Sequence, residues 1–210
     1  MNIYPKMNKN NTALLVIDMV NGCAHKDCED PEIKVHFSKI REMAPKLVQL
    51  VDNFRKEVNN NIIFINITPW TKEYLPENIQ ELYTDPMVEY YGDKGDDFPQ
   101  KFYLVKPEKE DLIITKNTYD AFANTKLEKV LKEKQIQYLV ITGIFTEGCV
   151  LSTISNGFSL GFNFVMLKDL IETGDGEERQ KTSELLKKRV FPFLYGKTIT
   201  SEEFLSDWKK

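Results

Sequence analysis

Six short apolar runs, separated by segments with helical periodicity, restrict the fold of this chain more than any other feature of its sequence. The runs are rich in β-branched and aliphatic residues and span 13–18, 61–67, 111–115, 137–142, 163–167 and 197–200. Because each run is almost continuously apolar, it predicts a strand that is buried on both faces. A chain of 210 residues is long enough to bury such a sheet without disulfide bonds.

Helical patterns lie between these runs. Apolar residues recur at intervals of three or four, which places them on one side of a helix, at Leu47, Leu50, Val51, Phe54 and Val58. A second helix is predicted around 127–131, where Thr125 followed by Glu128 has the pattern of a capping box. Strands that alternate with helices require crossover connections. We therefore expect an α/β fold over residues 1–210, a three-layer α/β/α domain with a six-stranded, mostly parallel sheet.

The connection from Thr68 to Glu110 is much longer than the others. It is too rich in aromatic residues for a disordered linker, with Trp70, Tyr74, Tyr83, Tyr90, Tyr91, Phe98, Phe102 and Tyr103. Long connections in compact domains often carry function, so we expect this one to form a wall of the substrate site. Packing of the rings onto the sheet is the simpler alternative for each of them, and helical turns are predicted around 79–83.

Composition excludes several classes of function. The chain has 28 basic and 32 acidic residues and no basic block, which argues against binding to nucleic acid. Its three cysteines are too few for a disulfide framework and are typical of a reducing compartment. No apolar run is long enough to span a bilayer, and the polar N-terminus lacks the apolar stretch of a signal peptide. We expect a cytoplasmic protein without membrane partners.

Three polar residues follow predicted strands, where parallel sheets place their ligand crevice. Asp18 ends the first run, Lys116 follows the third, and Cys149 comes shortly after the fourth. A thiolate is a nucleophile, a nearby cation lowers its pKa, and a carboxylate can accept and return its proton. Each residue alone also fits a structural role. The only histidines, His25 and His36, lie before the first helix, and one would have to reach Cys149 to form a Cys-His pair.

Sequence blocks around these residues resemble the isochorismatase-like cysteine hydrolases, a family that includes nicotinamidases and N-carbamoylsarcosine amidohydrolases. The blocks are 13–21 (ALLVIDMVN), 95–98 (GDDF), 114–122 (ITKNTYDAF) and 142–150 (TGIFTEGCV), followed by Thr153 and by Gly161-Phe162. The resemblance implies a catalytic triad of Asp18, Lys116 and Cys149. It also implies a cis peptide bond between Ile144 and Phe145.

An acyl-transfer site further needs an oxyanion hole and pocket walls. We expect the backbone N–H groups of Phe145 and Cys149 to form the oxyanion hole, since Cys149 is predicted to open a helix. Substrate contacts are expected from Trp70, Tyr119 and the Phe145 ring. The Thr146 hydroxyl is expected to add a hydrogen bond to the substrate.

The chain departs from some members of the family. Nicotinamidases carry a metal motif of Asp and His residues after the second strand, but this chain has ITPWTK at 67–72 and no histidine after His36. We therefore expect neither a metal nor another cofactor. A structural zinc site built from Cys23, His25, Cys28 and His36 is a weak alternative, because its spacing matches no common zinc module. The roles of Glu147 and Asp175 stay open, and solvated turn residues are favoured over functional ones.

Members that cleave a vinyl ether lack the cysteine, whereas this chain retains it. The expected function is a cysteine hydrolase that cleaves a carbon–nitrogen bond of a small amide or carbamoyl (ureide) substrate through a thioester. The alternatives are a catalytically silent binding or regulatory protein on the same fold, or an isochorismatase-type hydrolase of another small metabolite. The resemblance also implies a homo-oligomer, either a dimer or a tetramer.

Overall fold

The computed structural model describes residues 3–29, 36–82 and 97–208. Its strands are β1 (Thr12–Ile17), β2 (Ile62–Ile67), β3 (Leu112–Lys116), β4 (Tyr138–Ile144), β5 (Asn163–Glu172) and β6 (Gly196–Ile199). Its α-helices are α1 (Ser38–Glu57), α2 (Glu77–Leu82), α3 (Leu127–Glu133), α4 (Leu151–Ser159), α5 (Glu177–Leu185) and α6 (Ser201–Trp208). Each of the six apolar runs thus corresponds to one strand, which confirms the predicted α/β class.

The strands form one sheet in the order β3-β2-β1-β4-β5-β6, and every neighbouring pair is parallel. The chain builds the sheet outward from β1 to β3 on one side and from β4 to β6 on the other. The direction of winding therefore changes between β1 and β4. In open parallel sheets the ligand crevice lies at the carboxyl ends of the strands at such a switch point.

Both faces of the sheet are covered, as the continuous apolarity of the runs predicts. All six residues of β1 are buried. On one face, Leu14 and Val16 pack in a core with residues of α1 and α6. On the other face, Leu15 and Ile17 pack in a core with residues of α3 and α4. Helices on both faces of a parallel sheet make the three-layer architecture.

Two local predictions need correction. The fifth strand extends to Glu172, beyond the predicted 163–167, because β5 resumes pairing with β4 after a register shift between Ile141 and Gly143. The capping box before α3 is only half formed. The Thr125 hydroxyl accepts a hydrogen bond from Leu127 N at 3.1 Å, but Glu128 pairs with Lys132 at 2.5 Å instead of reaching back to Thr125.

The described parts of the long connection hold the loop that follows β1. Helix α2 lies where helical turns were predicted. Further along, Tyr103 N donates to Met19 O at 2.9 Å, and Asn21 N donates to Lys101 O at 2.8 Å. Five residues discussed above lie outside the described residues, namely Tyr83, Tyr90, Tyr91, Gly95 and Asp96. Within the described ranges, no helix combines the length and apolarity needed to cross a membrane.

Candidate active site

Asp18, Lys116 and Cys149 meet at the carboxyl end of the sheet. Asp18 directly follows β1, Lys116 is the last residue of β3, and Cys149 lies in a π-helical turn, Thr146–Val150, between β4 and α4. The Lys116 Nζ atom is 2.7 Å from Asp18 Oδ2 and 3.3 Å from Cys149 Sγ. It also donates to Thr118 O at 3.0 Å. The ammonium therefore bridges the carboxylate and the sulfur.

Close packing of β1 against β4 brings the carboxylate and the sulfur to the same place. Gly143 has a φ of +110°, and a Cβ atom at this position would lie 2.1 Å from Ile17 O. Only glycine accommodates both that backbone conformation and that approach. One residue earlier, the Thr142 hydroxyl donates to Leu15 O at 2.9 Å and ties the strands together. Asp18 itself adopts a left-handed backbone with a φ of +53°, which Asp tolerates better than most residues.

The charges of the triad are coupled because all three side chains are almost fully buried. Burial lowers the pKa of the Lys116 ammonium, but the adjacent Asp18 carboxylate and Cys149 sulfur outweigh it, so the net shift is upward. Burial raises the pKa of the Cys149 thiol, and the Asp18 carboxylate raises it further, against the opposing effect of Lys116. These shifts favour a neutral Cys149 thiol beside a charged Lys116 ammonium.

The turn that carries Cys149 begins at a cis peptide bond between Ile144 and Phe145. Gly148 N and Val150 N donate to Phe145 O at 3.0 and 3.2 Å and close this turn. Among the described residues, the Phe145 N–H has no backbone acceptor. Its position at the start of the turn that carries Cys149 fits a donor for an oxyanion.

A cavity of about 300 Å³ opens above the sulfur. Its wall includes the predicted contacts Trp70, Tyr119 and Phe145, and the Trp70 and Tyr119 rings lie 5.8 Å apart. The predicted substrate contact from Thr146 is corrected, because this side chain is fully buried outside the cavity wall. Its hydroxyl pairs with the Ser183 hydroxyl at 2.8 Å and attaches α5 to the turn.

Sequence reasoning missed Arg179 in the cavity wall. Its Nε donates to Glu147 Oε1 at 2.7 Å, and Glu147 also accepts a hydrogen bond from the Thr173 hydroxyl at 2.7 Å. Glu147 is therefore a wall residue with fixed partners rather than a solvated turn residue. No motif marks Arg179, because it follows two glutamates at the start of a helix with the composition of a solvated face.

Asp175 has a structural role. Its carboxylate accepts hydrogen bonds from Ser38 N at 2.8 Å, the Ser38 hydroxyl at 2.5 Å and Lys39 N at 2.9 Å. These bonds satisfy free N–H groups at the start of α1. Partial burial raises the pKa of this carboxyl, but the hydrogen bonds outweigh it and lower the pKa below its usual value.

His25, His36 and Cys23 of the alternative zinc site face other groups. The His25 Nδ1 accepts a hydrogen bond from Asp27 N at 3.1 Å, and its ring lies 5.0 Å from that of Phe98. The His36 Nδ1 lies 3.6 Å from Glu29 Oε2. Cys23 lines the active-site cavity instead. In the ranges that the structure describes, no group of three or more His, Cys, Asp or Glu side chains is placed to hold a metal.

Comparisons with known proteins find chains similar to this one. The family model of the isochorismatase domain matches residues 12–201. A solved cysteine hydrolase from Pseudomonas syringae pv. phaseolicola 1448A superposes with a TM-score of 0.80 at 19% identity, covering 100% of this chain and 97% of the other. That likeness extends over both sides of the sheet.

Two relatives are similar in sequence. YwoC of Bacillus subtilis (strain 168), an uncharacterized isochorismatase family protein, is 27% identical over 198 residues, which cover 94% of each chain. The ureidoacrylate amidohydrolase RutB of Variovorax paradoxus (strain S110) is 38% identical over 79 residues, which cover 38% of this chain and 31% of that enzyme. The first likeness spans the domain, and the second is local.

Proposed function

Since the chain belongs to the isochorismatase family of hydrolases, we propose that it is a cysteine amidohydrolase that cleaves a carbon–nitrogen bond in a small amide or carbamoyl substrate. The observation that carries this proposal is the contact of Lys116 Nζ with both Asp18 Oδ2 and Cys149 Sγ at the base of a cavity. The local similarity to a ureidoacrylate amidohydrolase supports the choice of bond. In the proposed reaction, Cys149 is the nucleophile, Asp18 transfers protons, and water is the second substrate.

In the first half of the reaction, the thiol proton of Cys149 moves to Asp18 as the sulfur attacks the substrate carbonyl carbon. Lys116 stays protonated and stabilises the thiolate while it exists. The carbonyl oxygen becomes an oxyanion, which accepts hydrogen bonds from backbone N–H groups at Phe145 and Cys149. The carbon–nitrogen bond breaks as Asp18 returns the proton to the leaving nitrogen, so an amine or ammonia departs and a thioester remains.

In the second half, a water molecule gives a proton to Asp18 and attacks the thioester carbonyl. The carbon–sulfur bond then breaks, the acid product leaves, and the sulfur recovers the proton from Asp18. The sum of the two halves is amide plus water to acid plus amine. Asp18 ends the cycle as it began.

A substrate panel tests this proposal, with ammonia release measured for primary amides and N-carbamoyl amino acids and substrate consumption measured by chromatography for vinyl ethers. We expect turnover of at least one compound with a carbon–nitrogen bond and none in the Cys149→Ala variant. Acid-quenched enzyme is expected to contain an acyl group on the peptide that carries Cys149, detected by mass spectrometry. The matched control is Cys28→Ser, which replaces a thiol outside the cavity wall and is expected to retain activity.

Two results would contradict the proposal. Turnover of a vinyl ether alone favours an isochorismatase-type hydrolase. Binding of panel compounds without turnover or acylation favours a silent binding protein, because a competent thiolate acylates even when hydrolysis is slow.

A further inference from the structure

The ammonium of Lys116 has three hydrogen-bond partners, one for each of its N–H groups. Two of them, Asp18 Oδ2 at 2.7 Å and Cys149 Sγ at 3.3 Å, belong to the triad. The third is the backbone oxygen of Thr118 at 3.0 Å. Because the N–H groups of an ammonium diverge at fixed angles, the position of the Thr118 oxygen limits the directions of the other two bonds. The loop that carries Thr118 therefore influences how the lysine meets the sulfur.

This loop lies along the helical segment that carries the nucleophile. Thr153 and Asn156 follow Cys149 by four and seven residues, a spacing that places all three close to one face of the helix. The Thr153 hydroxyl, which is fully buried, accepts a hydrogen bond from Ala121 N at 3.0 Å. Three residues later, Asn156 Nδ2 donates to Asp120 Oδ2 at 2.6 Å. Both bonds join α4 to the loop that follows β3.

Asp120 fixes the shape of the loop as well as its place on α4. Its Oδ1 accepts a hydrogen bond from Phe122 N at 2.9 Å, and its backbone N–H and C=O groups both bond to the Thr118 hydroxyl at 3.2 Å. The Phe122 ring lies so close to α4 that a Cβ atom at Gly157 would approach it to 2.6 Å. A displacement of Asp120 would therefore carry the Thr118 backbone with it.

We propose that Asp120 and Asn156 form a positioning pair, which holds the Thr118 oxygen in place and thereby directs one N–H group of Lys116 to Cys149 Sγ. This inference rests on the proposed role of Lys116 as the cation that stabilises the thiolate. Neither member of the pair lines the cavity, so the pair acts on the nucleophile through the lysine and not through the substrate. A carboxylate is a suitable acceptor in such a pair, because hydrogen bonds to charged groups are the stronger ones.

Alkylation of Cys149 by iodoacetamide, measured at pH 7 to 9 by mass spectrometry of its peptide, tests the pair without a substrate. Asn156→Asp sets two carboxylates against each other, and Asn156→Ala removes the bond without adding a charge. Lys116 opposes the rise of the thiol pKa, so a lysine that is held less firmly leaves that pKa higher. We expect both variants to slow the reaction about threefold or more, the net effect of one unit of thiol pKa. The peptide that carries Cys28 should react at its original rate.

The exchange variant, Asp120→Asn with Asn156→Asp, restores the hydrogen bond with the charge on the other side. We expect it to react at close to the rate of the original protein. The matched control is Ser159→Asp, which adds the same charge at an exposed position of the same helix and is expected to leave the rate unchanged.

Loss of structure has the opposite sign, because an exposed cysteine with an ordinary pKa reacts faster than the buried thiol. A faster reaction in the single variants would therefore assign the pair to the fold alone and overturn the proposal. An unchanged rate in both, an exchange variant as slow as Asn156→Asp, or the same slowing in Ser159→Asp would overturn it as well.

Steady-state kinetics separate the pair from the proposed hydrolysis. With an amide that the original protein hydrolyses, we expect Asn156→Ala to lower kcat about tenfold and to leave KM close to its original value. A raised KM with an unchanged kcat would make the pair part of the substrate site and contradict the proposal. If no amide is hydrolysed, slower alkylation in the single variants and its recovery in the exchange variant still support the pair, and the proposed hydrolysis alone is refuted.

Discussion

Removing the charge of Lys116 and removing the charge of Asp18 are expected to change the reactivity of the Cys149 thiol in opposite directions. Lys116 Nζ lies 3.3 Å from the sulfur. With an effective dielectric constant near 20, a unit charge pair at that distance interacts by about 5 kcal/mol, or 3 to 4 pKa units. Lys116→Met is therefore expected to raise the thiol pKa further. The Asp18 carboxylate raises the thiol pKa, so Asp18→Asn is expected to lower that pKa.

The assay is alkylation by iodoacetamide at pH 7, measured on each cysteine peptide by mass spectrometry. Each unit of pKa changes the thiolate fraction tenfold but changes nucleophilicity in the opposite sense, which leaves a net effect of about threefold per unit. Lys116→Met is thus expected to slow alkylation of Cys149 by roughly 50-fold. Asp18→Asn is expected to accelerate it about tenfold while ammonia release is lost, since the general base is gone.

The peptide that carries Cys28 is the internal control, because its alkylation is expected to be the same in all three proteins. A slower or unchanged reaction in Asp18→Asn would refute the reasoning. It would mean that the resting sulfur is already a thiolate beside a protonated Asp18, so that the carboxylate does not control its charge.

Three further predictions concern the residues that build the site. Gly143→Ala is expected to lower the free energy of unfolding, measured in urea, by about 3 kcal/mol or more, because the added Cβ would meet a β1 carbonyl. The control is Gly161→Ala, where φ is also positive but the space around the Cβ is open, and an equal loss of stability there would contradict the steric argument. Asp175→Ala is expected to lower the free energy of unfolding by about 2 kcal/mol at pH 7. Because the pKa of Asp175 is lowered in the folded state, this difference should be lost as the pH falls below about 4, and a difference that persists there would argue against the carboxylate cap. Thr146→Val alone is expected to leave the buried Ser183 hydroxyl unpaired and to lower the free energy of unfolding by about 1–3 kcal/mol. The double variant with Ser183→Ala should have nearly the stability and the KM of the original protein, and a raised KM in it would support Thr146 as a substrate contact.

The sequence alone was sufficient to predict the fold class and to predict that Asp18, Lys116 and Cys149 meet at one edge of the sheet. Strands buried on both faces leave continuous apolar runs, so all six could be located. Asp18 and Lys116 stand at the ends of two of these runs. Because parallel strands end at the same edge, their meeting could be inferred without coordinates.

Other features depend on contacts between distant segments and leave no local signal. Glu172 extends β5 because the strand resumes pairing with β4 after a register shift. Thr146 follows β4 like a site residue, but its hydroxyl turns to Ser183 when α5 packs on the turn. Arg179 lies in the cavity wall in contact with Glu147 and Phe145, which are distant from it in sequence. None of these orientations follows from spacing along the chain.

Because the site lies between β1 and β4, its residues are synthesised at different times. Strands β1 and β3, with the carboxylate and the ammonium, are made before β4 and the thiol. Cys149 therefore leaves the ribosome as an ordinary cysteine, and its environment changes only when β4 docks against β1 between segments more than a hundred residues apart. In a truncated or misassembled chain, Cys149 would keep the pKa and the exposure of an ordinary thiol, whereas both differ in the folded protein. Alkylation kinetics at this one residue thus distinguish completed molecules from folding intermediates.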